Sequence, residues 1–225
     1  NNNIKSVPIV DRKNNFLGIV SNDNIMHILD SETKEDLLLM TGIIPHERIQ
    51  HDKLPVFKSF IHRAPWIMIG LFGGLFGAGI ISSFESILEK EVILAAFIPL
   101  VAYIANAVGA QTQTLYIREL AVSHKVPVVA YGVKQLAISV LIGIVCWISI
   151  MGISMILWSS QHLGIIVGFS VFCAIIMANI FAILIPYILV RLRKDPAIGS
   201  GPFTTIIQDM LSIIIYFLIA SAFIL

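Results

Sequence analysis

The position in this sequence with the most chemistry in it is Asp209, a carboxylate set inside an apolar tract. It follows Gly201-Pro202-Phe203-Thr204-Thr205-Ile206-Ile207-Gln208, and mostly apolar residues run from it to Leu225. In a helix beginning near Phe203 it lies roughly 9 Å along the axis, at ~1.5 Å per residue. An ionisable group at that depth in a bilayer costs about 2.5–3.5 kcal/mol on insertion scales. A cation, a paired base or water must offset that cost. No Lys or Arg stands at comparable depth in the other apolar tracts, so an internal salt bridge is hard to build. The bland alternative is an aspartate near the interface, solvated by headgroups. A cation path accounts better for the carboxylate.

A second polar group strengthens that reading. Asn106, Gln111, Thr112, Gln113 and Thr114 crowd one end of another apolar tract, on several helical faces at once, with Gly109 thinning the helix. Amides and hydroxyls of this kind can hold helices together by hydrogen bonds, but such density suits the wall of a wet cavity. Asn179, in a further tract, is expected to line the same cavity. All these groups offer oxygen: carboxylate, amide, hydroxyl or carbonyl. Thiolate and imidazole are absent from the buried set, which selects hard cations such as Mg²⁺, Ca²⁺ or Mn²⁺. One carboxylate per chain is too few for a dry Ca²⁺ cage, whereas Mg²⁺ is usually held through its waters by one or two carboxylates. Magnesium is the first choice.

The elements that must position these groups follow from composition. Of 225 residues, 57% are hydrophobic and only 13% charged, against about 25% charged in a soluble domain. Most of the chain meets lipid. Five tracts are long enough to cross a bilayer, which takes about 20 apolar residues: 65–84, 91–115, 134–158, 163–190 and 203–225. The class is an all-α membrane protein. Pro99 and Pro186 are expected to interrupt the second and fourth spans and to place them inside the bundle, where neighbours satisfy the freed backbone. Glycines at 70, 73, 74, 77 and 79 give G-x-x-x-G in two frames and mark a close helix contact. Cys146 and Cys173 sit in apolar runs and read as small buried hydrophobes. The six scattered histidines form no zinc spacing. A net charge of +1 gives no reason to expect a nucleic-acid partner.

Loop charges orient the spans. Lys53, Lys58 and Arg63 precede the first, and Arg118, Lys125 and Lys134 lie between the second and third. Arg191, Arg193 and Lys194 lie between the fourth and fifth. The intervening loops are acidic or lack Lys and Arg. By the positive-inside rule the N-terminus and both basic loops are cytoplasmic and the C-terminus is outside.

Residues 1–45 alone have soluble character. The runs at 7–10 and 16–20 read as strands, with helices over 22–29 and around 33–40. That is too little to bury a core independently. Residues 46–64 are amphipathic and connect this piece to the membrane. The chain begins without Met or a signal peptide and looks cut from something longer, and a prokaryotic plasma membrane is the expected location.

Four stretches carry a resemblance. They are Phe84-Glu85-Ser86; Phe97-Ile98-Pro99 through Gly109-Ala110-Gln111 and Arg118; Asn179 with Pro186; and Asp195-Pro196-Ala197 through Ser200-Gly201-Pro202 to Asp209. Over residues 65–225 the chain resembles the membrane domain of the MgtE family of magnesium channels and transporters. Residues 1–45 resemble the end of a CBS domain, with Glu35-Asp36-Leu37 in its closing helix. The resemblance implies a homodimer with a pore on its two-fold axis, hydrated magnesium held at Asp209, and a plug-like connecting helix. It also implies a magnesium-sensing role for the CBS part, with Mg²⁺ as both transported and regulatory ion. Glu85 and Asn106 match polar pore or vestibule positions, and the candidate metal positions are Asp209, Thr205, Gly201, Asn106, Asn179, Glu85 and Asp195. Gly201 stands where familiar members have Asn, Asn106 is five residues before Gln111 rather than four, and Asn24 replaces an acid of the nucleotide-binding pattern. Other readings are a cation-coupled carrier for Mn²⁺ or Co²⁺ and, from other classes, an intramembrane enzyme or a non-transporting scaffold. An enzyme would need paired acids, a Ser/His pair or a metal triad at membrane depth, and none is spelled out.

Overall fold

The computed structural model describes residues 6–41, 55–122, 126–199 and 201–224. It opens with an antiparallel hairpin, β1 (Ser6–Val10) and β2 (Phe16–Ser21), followed by α1 (Asn22–Met40). The hairpin turn is tied by Asp11, whose carboxylate accepts from the Lys13 and Asn15 backbone amides at 2.7 and 2.9 Å. Asn14 takes a left-handed φ of 63° there, a conformation Asn tolerates well. Ser21 caps α1 by accepting from the Asn24 amide at 3.3 Å. The two expected helices of this region are one. The hydroxyls of Ser31 and Thr33 bond back to the Ile28 and Leu29 carbonyls at 2.8 Å, and the helix runs on through them.

Among the described residues, five apolar helices are long enough to cross a membrane, as expected. They are α2 (Val56–Ser82), α4 (Ile98–Val122), α5 (Val128–Trp158), α6 (Gln161–Arg191) and α7 (Pro202–Ile224). Between α2 and α4 lie a short α3 (Glu85–Lys90) and a 3₁₀ helix (Val92–Phe97) that begins the second span. The connecting segment 46–64 falls partly outside the described residues. Its last part is already the start of α2, which runs on through Pro65. Nor does Pro99 interrupt a helix. It sits in the first turn of α4, where a missing N–H costs nothing, and the irregular backbone is the 3₁₀ stretch just before it. Pro186 lies within a continuous α6.

α6 is the centre of the bundle and packs on α4, α5 and α7. Its buried face holds Val167, Val171, Ala174, Ile175 and Ala178 against Val101 and Ala105 of α4 and Phe217 of α7. Small residues allow the close approaches. A side chain at Gly168 would lie 2.3 Å from Trp147, and one at Gly143 2.7 Å from Phe172. α2 stands apart, packing chiefly on α7 and exposing Ile67, Leu71, Phe72, Leu75 and Phe76, the kind of surface a bilayer covers. Of its glycines, Gly73 meets Ile206 of α7, with no room for a Cβ at 2.6 Å. Gly70 and Gly74 face open space. One G-x-x-x-G frame therefore packs, and the other leaves a void.

Candidate functional site

α7 starts at Gly201 and Pro202, and the Gly201 carbonyl accepts from the Thr204 and Thr205 amides at 3.2 and 3.5 Å. Residues four apart share a helical face, so Gly201, Thr205 and Asp209 form one stripe. That stripe lines an open cavity of about 540 Å³ together with Gly70 of α2, Ala110, Gln113 and Thr114 of α4, and Met40 and Thr41 at the C-terminal end of α1. A second cavity of about 340 Å³ continues along the glycine face of α2, past Gly74 and Gly77 to Ile81. Gly70, Ile206 and Asp209 border both. The carboxylate thus stands where two cavities meet.

Asn106 of α4 donates from its Nδ2 to Asp209 Oδ1. Its own Oδ1 is buried with no hydrogen-bond partner. A buried acceptor without a partner costs roughly 1–3 kcal/mol, so this oxygen needs a cation or a water that donates to it. A carboxylate and an orphaned amide oxygen side by side suit a hydrated hard cation. Six waters at ~30 Å³ each occupy roughly 180 Å³, which either cavity holds. Among the described residues no three His, Cys, Asp or Glu come together, so the donor set is one for an ion that keeps its water.

The remaining candidates are dispersed. Glu85 is exposed at the first residue of α3 and borders neither cavity. Asp195 caps the loop between α6 and α7 by accepting from the Ala197 amide at 2.8 Å. It also faces α1, where burial, and then the negative charge of Asp195, push the Asp36 carboxyl above its ordinary 3.8. Asn179 does not join Asp209. It lines a separate cavity between α5 and α6 with Val129, Val133 and Ile183, and its Oδ1 is buried without a partner. The reason is rotational: Ala178 turns its carbonyl to Gln208 of α7 at 3.2 Å, and the next residue lies about 100° round the helix. The polar cluster of α4 also divides. Gln113 and Thr114 reach the cavity, Thr112 is buried in packing, and Gln111 is exposed elsewhere.

Reading the sequence missed Gly70 and Gly74 as cavity walls, Met40 and Thr41 at the mouth, and the buried seam of α7. That seam is Thr204, Gln208, Ser212 and Tyr216, at 1%, 4%, 1% and 0% exposure. Its four-residue spacing was the available signal.

Among the described residues, then, a bundle of apolar, membrane-length helices sets the Asp209 carboxylate at the border of two open cavities. The model of the MgtE family, described as divalent cation transporter, matches residues 98–219, and this chain belongs to that family. It is similar to the magnesium transporter MgtE of Bacillus subtilis (strain 168), 35% identical over 97% of this chain and 48% of the relative. The Enterococcus faecalis protein of the same name is 33% identical over the same shares. That of Thermus thermophilus is 27% identical over 95% of this chain and 48% of its own length. The chain spans about half the length of these curated relatives.

Proposed function

We propose that this chain passes divalent cations, magnesium first, across a lipid bilayer, with the hydrated ion held at Asp209. The observation that carries the reading is the Asp209 carboxylate bordering two cavities and held there by Asn106 Nδ2, whose own amide oxygen has no partner. The names of its relatives point to magnesium. In the membrane the N-terminal part and the basic loops face the cytoplasm, and the C-terminal end of α7 faces outward. Two copies associate so that two Asp209 carboxylates face one path. Residues 1–45 are the end of a CBS domain and 46–64 a plug-like connection. In support of a link between that domain and the path, Met40 and Thr41 line the larger cavity.

The test is magnesium flux in proteoliposomes. A carboxylate and a divalent ion ~5 Å apart attract by several kcal/mol at an effective dielectric of about 20. Asp209→Asn keeps volume and hydrogen bonding but removes that attraction. Flux should fall well over tenfold, with expression and thermal stability close to wild type. Wild-type flux through Asp209→Asn would end the reading.

A further inference from the structure

The stripe that carries Asp209 is fixed in place by the neighbouring, buried polar seam of α7, three of whose four side chains are tied to other elements. Thr204 Oγ1 accepts from Gln113 Nε2 of α4 at 3.1 Å. Gln208 Nε2 donates to the Ala178 carbonyl of α6 at 3.2 Å. Tyr216 donates its hydroxyl to the Leu94 carbonyl of the 3₁₀ helix at 2.8 Å. Three rungs reach three different elements, which is what is needed to stop a helix turning about its own axis. Apolar contacts alone are non-directional and leave that rotation loosely set.

Gln208 is the decisive rung. It is the residue next to Asp209, so any movement of its backbone is transmitted to the carboxylate. Its amide lies flat on Gly109 of α4, where even a Cβ would come within 2.4–2.7 Å of it. Contact with α4 on one side and a hydrogen bond to α6 on the other leave the side chain little freedom. A carboxylate about 6 Å from the helix axis moves roughly 2 Å for a 20° turn, enough to part it from Asn106.

We infer that Gln208, clamped between Gly109 and the Ala178 carbonyl, is a positioning residue that sets the rotation of α7 and so aims Asp209 into the cavity. The inference rests on Asp209 being the ion site, but its geometric part is testable without any ion. In a Cys146→Ser/Cys173→Ser background, Thr205→Cys on the cavity stripe should react with a water-soluble thiol reagent several times faster than Ser212→Cys on the seam. Gln208→Met, similar in length but unable to donate, should erase most of that contrast. It should also raise the half-saturating Mg²⁺ concentration for flux about tenfold or more, the usual effect of losing a group that orients a metal ligand. Thr204→Val, a volume-conserving change that cuts the rung one turn earlier, should act in the same direction and less strongly. It serves as the test if Gln208→Met does not fold. An unchanged labelling contrast in both variants overturns the inference whatever the flux does. A lost contrast with unchanged half-saturation supports the positioning and overturns Asp209 as the ion site.

Discussion

Two cavities of comparable size, about 540 Å³ around Asp209 and about 440 Å³ between α5 and α6, show what an intramembrane polar residue does and does not mean. Each has an asparagine oxygen left unpartnered nearby: that of half-buried Asn106, which bonds the Asp209 bordering one cavity, and that of buried Asn179, which lines the other. Around Asn179 the walls are Val128, Val129, Val133, Leu136, Ile180 and Ile183. No carboxylate lines it, and Asn179 and Tyr187 supply its polar groups. Around Asp209 there are three threonines, the Gln113 amide and Gly70, which leaves open space. Convergence of oxygens on a charge distinguishes an ion site from a helix contact. An isolated amide does not.

The comparison breaks most sharply under matched substitutions. Asn106→Leu removes both the donor to Asp209 and the orphaned acceptor, and should lower magnesium flux about 10- to 100-fold, the range seen when outer partners of a metal ligand are lost. Asn179→Leu should leave flux near wild type. Replacing an unpartnered buried polar group by an apolar one is often neutral or stabilising, so its melting temperature in detergent should hold or rise. Equal flux losses in the two variants would erase the distinction drawn here.

A smaller effect is expected at the contact between α1 and the Asp195 loop. The Asp36 carboxyl is raised above 3.8 by burial and then by Asp195, Glu32 and Glu35. A raised carboxyl means that the docked state binds its proton more tightly than the undocked one. Docking is therefore favoured in acid and loses that contribution as pH rises from 3.8 through the raised value. Hydrogen exchange in α1, corrected for intrinsic rates, should show more protection as pH falls towards that window. Asp36→Asn should be better protected at neutral pH and lose most of the pH dependence. Weaker protection in Asp36→Asn would reverse the sign assigned to this contact.

Much of this was legible from residue types. The five spans follow from apolar length, and Asp209 stands out because a charge in lipid demands an explanation. What escaped was rotation. Asn179 and Asn106 look alike in sequence, and a turn of about 100° per residue decides which cavity each meets. Pro99 reads as an interruption until the start of α4 is known, because a proline in the first turn and one in mid-helix are the same letter. Gly70 and Gly74 signal packing by spacing, yet here they shape the void while Gly73 makes the contact. The expected helices over 22–29 and around 33–40 are one, because the hydroxyls of Ser31 and Thr33 are absorbed by their own helix. Each of these depends on which neighbour lies opposite, which tertiary packing decides and local pattern does not.

The central claim is that Asp209 holds a divalent ion through its water. Mn²⁺ is a hard, oxygen-preferring stand-in whose unpaired electrons report the protons of water bound to it. Electron–nuclear double resonance on the purified full chain in detergent, loaded with Mn²⁺, reads those protons directly. The account predicts one class of bound Mn²⁺ that retains most of its coordinated water and is lost in Asp209→Asn, while Asn179→Leu keeps it. An Asp209→Asn spectrum that matches wild type, or a bound ion stripped of water, would contradict it.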